Sequence, residues 1–103
     1  MLLSEAIRRG SADVLHERYF TYRHDHSGKI VGACALGGAA LAANIAMQGW
    51  DVFVKTFPIL EKVVHHPVHG HRSDTLRTVV ISLNTSWSRK RIADWVATQE
   101  ETS

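Results

Sequence analysis

The sequence predicts a single domain, residues 1–103, that is mainly α and weakly α+β. Four or five short helices surround a central Ala- and Gly-rich helix, with one small β-hairpin at the side. Three observations support this fold class. Alanine, which has the highest helix propensity, is concentrated in residues 34–47. Residues 88–99 carry apolar side chains at helical spacing. Residues 18–33 hold two strand-like runs separated by turn residues.

The N-terminal segment 4–9 predicts a short helix. Ser4 fits its N-cap, Glu5 lies at the positive end of the helix dipole, and Gly10 can end the helix. Residues 12–16 either extend this helix or form a second turn.

The hairpin and the central helix come next. Residues 19–22 are aromatic and β-branched, which favours a strand, and residues 24–28 supply the turn before a second short apolar run. We therefore expect a β-hairpin over 18–33. The helix over 34–47 is expected to end at Gly49.

Two helices are predicted in the second half of the chain. The first begins at Pro58, because proline suits the first helical position, and stops before Pro67. Ser73 is the predicted cap of the second, in which the apolar residues of 76–83 follow i, i+3, i+4, i+7 spacing. A β-branched run inside this segment leaves a strand open as the alternative for residues 75–84.

The last helix has the clearest start signal. Ser88 is a suitable N-cap, and Trp87 before it pairs with Ile92 at the fourth helical position, as in a hydrophobic staple. Ile92, Trp95 and Val96 form the predicted buried stripe. The last four residues are expected to fray.

Composition and charge narrow the class of protein. Twelve basic and ten acidic residues give a net charge of +2, and no run of like charges marks a nucleic-acid-binding tail. One cysteine excludes an internal disulfide framework. Residues 1–5 lack the basic start of a signal peptide, and the uncharged stretch 30–50 has few of the strongly apolar residues that a membrane span needs. We expect a cytoplasmic protein without a membrane segment.

Several short runs resemble a set of small bacterial and phage-borne proteins of unknown function. The pattern of that set is L-S-E-A-I-R, then C-A-L-G-A-A, then L-N-D, then W-S-R-E-x-I-A-D-W-V. The matching runs here are 3–8, 34–37, 83–84 and 87–96. The chain departs from the pattern at Gly38, where the pattern has Ala, and at Thr85, where it has Asp. The resemblance implies one domain and a phage or prophage origin, and it implies no activity.

A cluster of histidines is the first candidate site. It consists of His65, His66, His69 and His71. Neutral imidazole is a good zinc ligand, but a structural zinc needs four donors in a tetrahedron. Since no second pair of ligands follows at suitable spacing, we interpret the cluster as a polar exposed turn, with a small metal-binding protein as an alternative.

A basic run at the start of the last helix is the second candidate. Residues 84–86 resemble the corner of a helix-turn-helix, which would present Arg89, Lys90 and Arg91 to DNA. The acidic second half of the same helix weighs against this. We keep DNA binding as an alternative function.

Three aromatic residues form the third candidate, which we prefer. Trp50, Phe53 and Phe57 lie in a segment with few charges. On an extended chain, Trp50 would share one face with Val52 and Val54, and Phe53 would share the other face with Phe57. Alternation of this kind predicts an extended segment with two apolar faces. A small domain covers one face, and the other would bind a partner.

These observations predict a non-enzymatic interaction or regulatory protein that binds another macromolecule. A protein partner or a homodimer is expected, nucleic acid remains possible, and no cofactor or small-molecule substrate is indicated. Cys34, near the start of the central helix, is interpreted as a small buried residue rather than as a nucleophile.

Overall fold

The computed structural model describes residues 1–10, 14–17, 22–46 and 48–101. Within these residues the fold is α+β, with five α-helices and two small sheets, so the prediction of a mainly α fold is confirmed only roughly, and strands are more numerous than the one predicted hairpin. Its elements, in chain order, are α1 (Leu3–Arg9), β1 (Leu15–His16), β2 (Tyr22–His24), β3 (Ile30–Ala33), α2 (Ala35–Ala42), α3 (Trp50–Thr56), a 3₁₀ helix (Pro58–Glu61), β4 (Val63–His65), β5 (Ser73–Thr75), α4 (Leu76–Leu83) and α5 (Arg89–Glu101).

Helix α1 packs against both α2 and α5. Its N-cap is Leu2, so the prediction of Ser4 as cap is wrong. Ser4 is instead buried, and its hydroxyl donates a hydrogen bond to the carboxylate of Glu100. Gly10 ends the helix as predicted, and it touches Gly38 of α2 so closely that a β-carbon at Gly10 would overlap the Gly38 carbonyl group.

A three-stranded sheet with the order β1-β3-β2 follows α1. Strands β2 and β3 are antiparallel, which confirms the hairpin within 18–33. The Asp25 carboxylate closes its turn by accepting the backbone N–H groups of Ser27 and Lys29 at 2.9 and 3.1 Å. Strand β1 pairs with β3 in parallel, so the prediction of helix or turn over 12–16 is wrong at its end, and residues 11–13 lie outside the described residues.

Helix α2 begins where predicted and ends earlier. The backbone N–H of Ile45 donates to the Ala40 carbonyl at 2.9 Å, and that of Asn44 donates to the Leu41 carbonyl at 3.1 Å. Asn44 has a φ of 59°, a left-handed conformation that asparagine tolerates better than most residues. These bonds form a Schellman motif, so Asn44 ends the helix and the predicted end at Gly49 is wrong.

The segment after α3 differs most from the prediction. Residues 58–61 form a 3₁₀ helix, and the chain then extends as β4, which pairs antiparallel with β5. Val63 and Val64 are β-branched and favour this extended pairing over helix. Ser73 lies in β5 and is not a helix cap; the N-cap residue of α4 is Thr75.

Helices α4 and α5 confirm the apolar spacing read from the sequence. The segment 76–83 is a helix, and its four periodic apolar residues are at most 2% exposed. The Ser88 hydroxyl accepts the Arg91 backbone N–H at 3.1 Å, as the predicted cap should. Ile92 and Val96 are fully buried, whereas Trp95 is half-buried. Helix α5 continues to Glu101, beyond the point where fraying was expected.

The uncharged stretch 30–50 is divided between β3, α2 and the start of α3. Within the described ranges, every helix is too short or too polar to cross a membrane.

Candidate interaction surface

Residues 50–56 form a helix rather than the extended segment that the alternation predicted. The helix dipole interacts favourably with Asp51 in the first turn and with Lys55 in the last turn, which stabilises this helix. Helical spacing brings Phe53 and Phe57 to the same side, where they are 8% and 4% exposed. The two phenylalanines therefore belong to the core, and of the three predicted partner-binding aromatics only Trp50 is accessible.

Trp50 is 47% exposed and is held in place by two neighbours. Its ring stacks on Phe53 with 5.6 Å between ring centroids, and Phe53 meets Phe57 edge-on at 5.7 Å. The guanidinium carbon of Arg77, on α4, lies 5.3 Å from the centre of the Trp50 ring, within the range of a cation–π contact. The indole is thus attached to the core and still presents much of its surface to solvent.

An open groove lies beside this indole. Its volume is about 440 Å³, and its lining residues are Trp50, Asp51, Val54, Lys55, Glu61 and Arg77. The Arg77 Nε and a Glu61 carboxylate oxygen are 3.3 Å apart. Asp51 and Lys55 are exposed and, within the part of the chain that the structure describes, form no ion pair or side-chain hydrogen bond. The groove therefore combines an apolar wall with charges of both signs.

Ile81 extends the apolar part of this region. It is 53% exposed and lies four residues after Arg77 on α4, and residues four apart share one face of a helix. We call these residues together the Trp50 surface. Its members are Trp50, Asp51, Val54, Lys55, Arg77 and Ile81.

The predicted DNA-contacting residues do not share one exposed face. Arg89 is 5% exposed, and its guanidinium donates to the Val14 and Ala33 carbonyls at 3.1 and 2.9 Å. Burial lowers the pKa of this guanidinium. Lys90 is exposed and pairs with Asp94 at 3.4 Å, and Arg91 stacks over Trp87. Arg89 is thus engaged inside the protein and is not available to a phosphate group.

The β4–β5 connection holds three rings of the histidine cluster close together, with 5.0 Å between the ring centroids of His66 and His69 and 6.1 Å between those of His69 and His71. His66 is 8% exposed, so the prediction of an exposed turn is wrong at this residue. The His66 Nδ1 accepts the backbone N–H groups of Val68 and His69, both at 3.1 Å, and its Nε2 lies 3.2 Å from the Ser82 hydroxyl. His65 is bonded instead to Ser73. Among the described residues, no three histidine, cysteine or acidic side chains come together in a way that would hold a metal ion.

Asn84 is the residue whose role the sequence showed least clearly. It is 4% exposed, and its side-chain oxygen accepts the Ala35 backbone N–H at 2.9 Å and contacts the His16 Nε2 at 2.7 Å. Its amide nitrogen donates to the Glu17 carbonyl at 2.8 Å. Asn84 thus connects the α4–α5 turn to β1 and to the start of α2.

Cys34 is partly exposed and packs against the core. It caps α2, since its sulfur accepts the Gly37 backbone N–H at 3.3 Å. The expectation of a small core residue is thus met only in part, because the thiol lies at the edge of the core.

Comparison of the chain with known protein families, with curated proteins and with solved structures finds no match.

Proposed function

We propose that this protein is a non-enzymatic interaction protein that binds another protein through the Trp50 surface. The observation that carries the proposal is the half-exposed Trp50, fixed between core and surface by Phe53 and Arg77. Tryptophan and arginine are the residue types most often found at the energetic centre of protein interfaces. An exposed indole costs hydration free energy in the free protein, and a partner that covers it recovers that free energy.

The arrangement also reduces the entropic cost of binding. Because the indole is already packed against Phe53 and under Arg77, it loses little rotational freedom when a partner covers it. The adjacent groove of about 440 Å³ can receive a side chain of the partner. Asp51 and Lys55 at its edge supply the polar rim that surrounds the apolar centre of a typical interface.

DNA binding receives less support. The net charge is only +2, and of the three basic residues at the start of α5, one is buried and the other two are engaged with side chains of the same protein. Such a distribution offers few free cations for phosphates. The cytoplasmic location and the phage or prophage origin stay predictions from the sequence.

The proposal is tested by the substitution Trp50→Ser in a tagged copy expressed in the native host. Proteins captured by the wild type are identified by mass spectrometry, purified and titrated against each variant. We expect Trp50→Ser to weaken binding by about tenfold or more, as loss of a central tryptophan does.

Leu15→Ser is the matched control. Leu15 is 67% exposed and belongs to β1 of the three-stranded sheet rather than to the Trp50 surface. It should leave binding unchanged. If Trp50→Ser keeps the circular dichroism spectrum and melting temperature of the wild type and binds the purified partner equally well, the Trp50 surface is not the docking site.

A further inference from the structure

The two unpaired charges of the Trp50 surface belong to one short helix. Asp51 and Lys55 lie four residues apart on α3, with the acid on the N-terminal side. This order favours an ion pair along a helix. Within the described part of the chain, however, the two groups are not within ion-pair distance of each other or of any other charged group. Both charges are therefore available to a partner.

The α3 residues of the Trp50 surface are complementary to the same residues of a second copy. On α3, Trp50 and Val54 form one row and Asp51 and Lys55 form the neighbouring row, because each pair is four residues apart. When two such helices run antiparallel about a two-fold axis, the acid of each copy lies opposite the base of the other. A two-fold contact always pairs the same surface with itself in this way.

We infer that the partner of the Trp50 surface is a second copy of this chain, with the two α3 helices packed antiparallel. This inference rests on the proposed function, since it names the occupant of the same surface. Asp51 of each copy pairs with Lys55 of the partner subunit, and the neighbouring rows formed by Trp50 and Val54 pack against each other beside the two ion pairs. Ile81 and Arg77 on α4 widen the buried area beside the helix contact.

The spacing along the helix fits two simultaneous ion pairs. Residues four apart differ by about 6 Å along a helix axis. Antiparallel helices pack with their axes about 8–10 Å apart, a distance that the side chains of aspartate and lysine can bridge from opposite sides. The two-fold symmetry makes the two ion pairs equivalent.

Charge reversal tests the inference with the whole 103-residue chain. The mass in solution is measured by light scattering at about 100 µM chain, which populates a dimer with a Kd of about 10 µM. We expect the wild type to have twice the mass of one chain, which is 11.5 kDa. Asp51→Lys and Lys55→Asp each place like charges opposite each other, and each variant should dissociate at least about tenfold more readily.

Two rescue experiments separate the contact from a folding defect. A mixture of the Asp51→Lys and Lys55→Asp variants should form a heterodimer, because each lysine then faces an aspartate. The variant that carries both reversals should again form a homodimer. Neither rescue is expected if the single variants are monomeric because they unfold, and melting temperatures of all variants check this directly.

Each remaining outcome contradicts a particular claim. A wild-type protein that is monomeric at about 100 µM overturns the homodimer; the proposed function survives if Trp50→Ser still abolishes capture of a different protein. A dimer that neither charge reversal weakens overturns the antiparallel α3 contact. A dimer that persists in Trp50→Ser at the wild-type Kd overturns the homodimer contact, and the proposed function fails as well if Trp50→Ser leaves capture of other proteins unchanged.

Discussion

Replacing Asn84 with alanine is expected to destabilise the fold far more than its position in a turn indicates. The change removes the side chain that accepts the Ala35 N–H, contacts His16 and donates to the Glu17 carbonyl. A buried polar group left without a partner costs about 1–3 kcal/mol. Ala35 is fully buried, so its N–H group should carry most of that cost, about 2 kcal/mol. His16 and Glu17 are only half-buried, and water can replace part of what they lose.

The sum is about 3 kcal/mol of unfolding free energy, once about 1 kcal/mol is added for the two half-buried groups together. Urea denaturation followed by tryptophan fluorescence measures it directly. Thr85→Ala, in the same turn but exposed, is the control and should change the free energy of unfolding by less than about 0.5 kcal/mol. If Asn84→Ala lowers the unfolding free energy by less than about 1 kcal/mol, the three contacts do not stabilise the fold as described.

Three other perturbations have defined outcomes. Gly10→Ala should lower the free energy of unfolding by about 1–3 kcal/mol in urea denaturation, because the added β-carbon overlaps the Gly38 backbone. The control is Gly70→Ala, whose β-carbon meets only an ordinary contact and which should stay within about 1 kcal/mol of the wild type. Equal effects of the two substitutions would refute the close contact between Gly10 and Gly38. Burial, with the positive charges of His69 and Arg72, lowers the pKa of His66 below its ordinary value of 6.5. As the pH falls, the unfolded chain therefore protonates His66 at a higher pH than the folded protein does. The contribution of neutral His66 to the free energy of unfolding is present above pH 6.5 and is lost as the pH falls from 6.5 to the folded-state pKa. Urea midpoints should consequently fall less with acid in His66→Asn, whose amide oxygen can accept the same backbone N–H groups, and an unchanged pH dependence would refute this role. Untagged protein should hold zinc only substoichiometrically and keep its melting temperature in chelator; zinc lost together with the fold would show a structural metal.

The sequence predicted elements that depend on local pattern and missed those that depend on a distant strand. The spacing of 76–83 and the cap at Ser88 are local signals, and both are confirmed. The stretch 58–66 was predicted to be helical because Pro58 is a good helix start, but pairing of β4 with β5, ten residues further on, favours a strand. No pattern within residues 58–66 indicates that they pair with β5. Asn44 as a helix end was overlooked because the alanines around it favour helix on both sides.

The candidate site shows the same division. Trp50 was predicted to be part of a docking face from its residue type and from the small number of charges in its segment. Its neighbour Arg77 comes from another helix, and no spacing in the sequence connects the two. The positions of Phe53 and Phe57 were predicted on a strand period of two, whereas α3 places them one helical turn apart and inside. Arg89 and Lys90 look alike in the sequence and differ only in the face of α5 on which they lie.

The bonds made by Asn84 and Arg89 also bear on the order in which the chain folds. The contacts of Asn84 join residues 49 to 68 positions apart, and those of Arg89 join residues 56 to 75 positions apart. Closing such long loops costs chain entropy before any bond repays it. Helices α1, α2, α4 and α5, whose hydrogen bonds are local, can therefore form before the two polar side chains reach their acceptors. Contacts that form after the transition state leave the folding rate nearly unchanged and slow unfolding. We therefore expect substitutions at Asn84 and Arg89 to raise the unfolding rate more than they lower the folding rate.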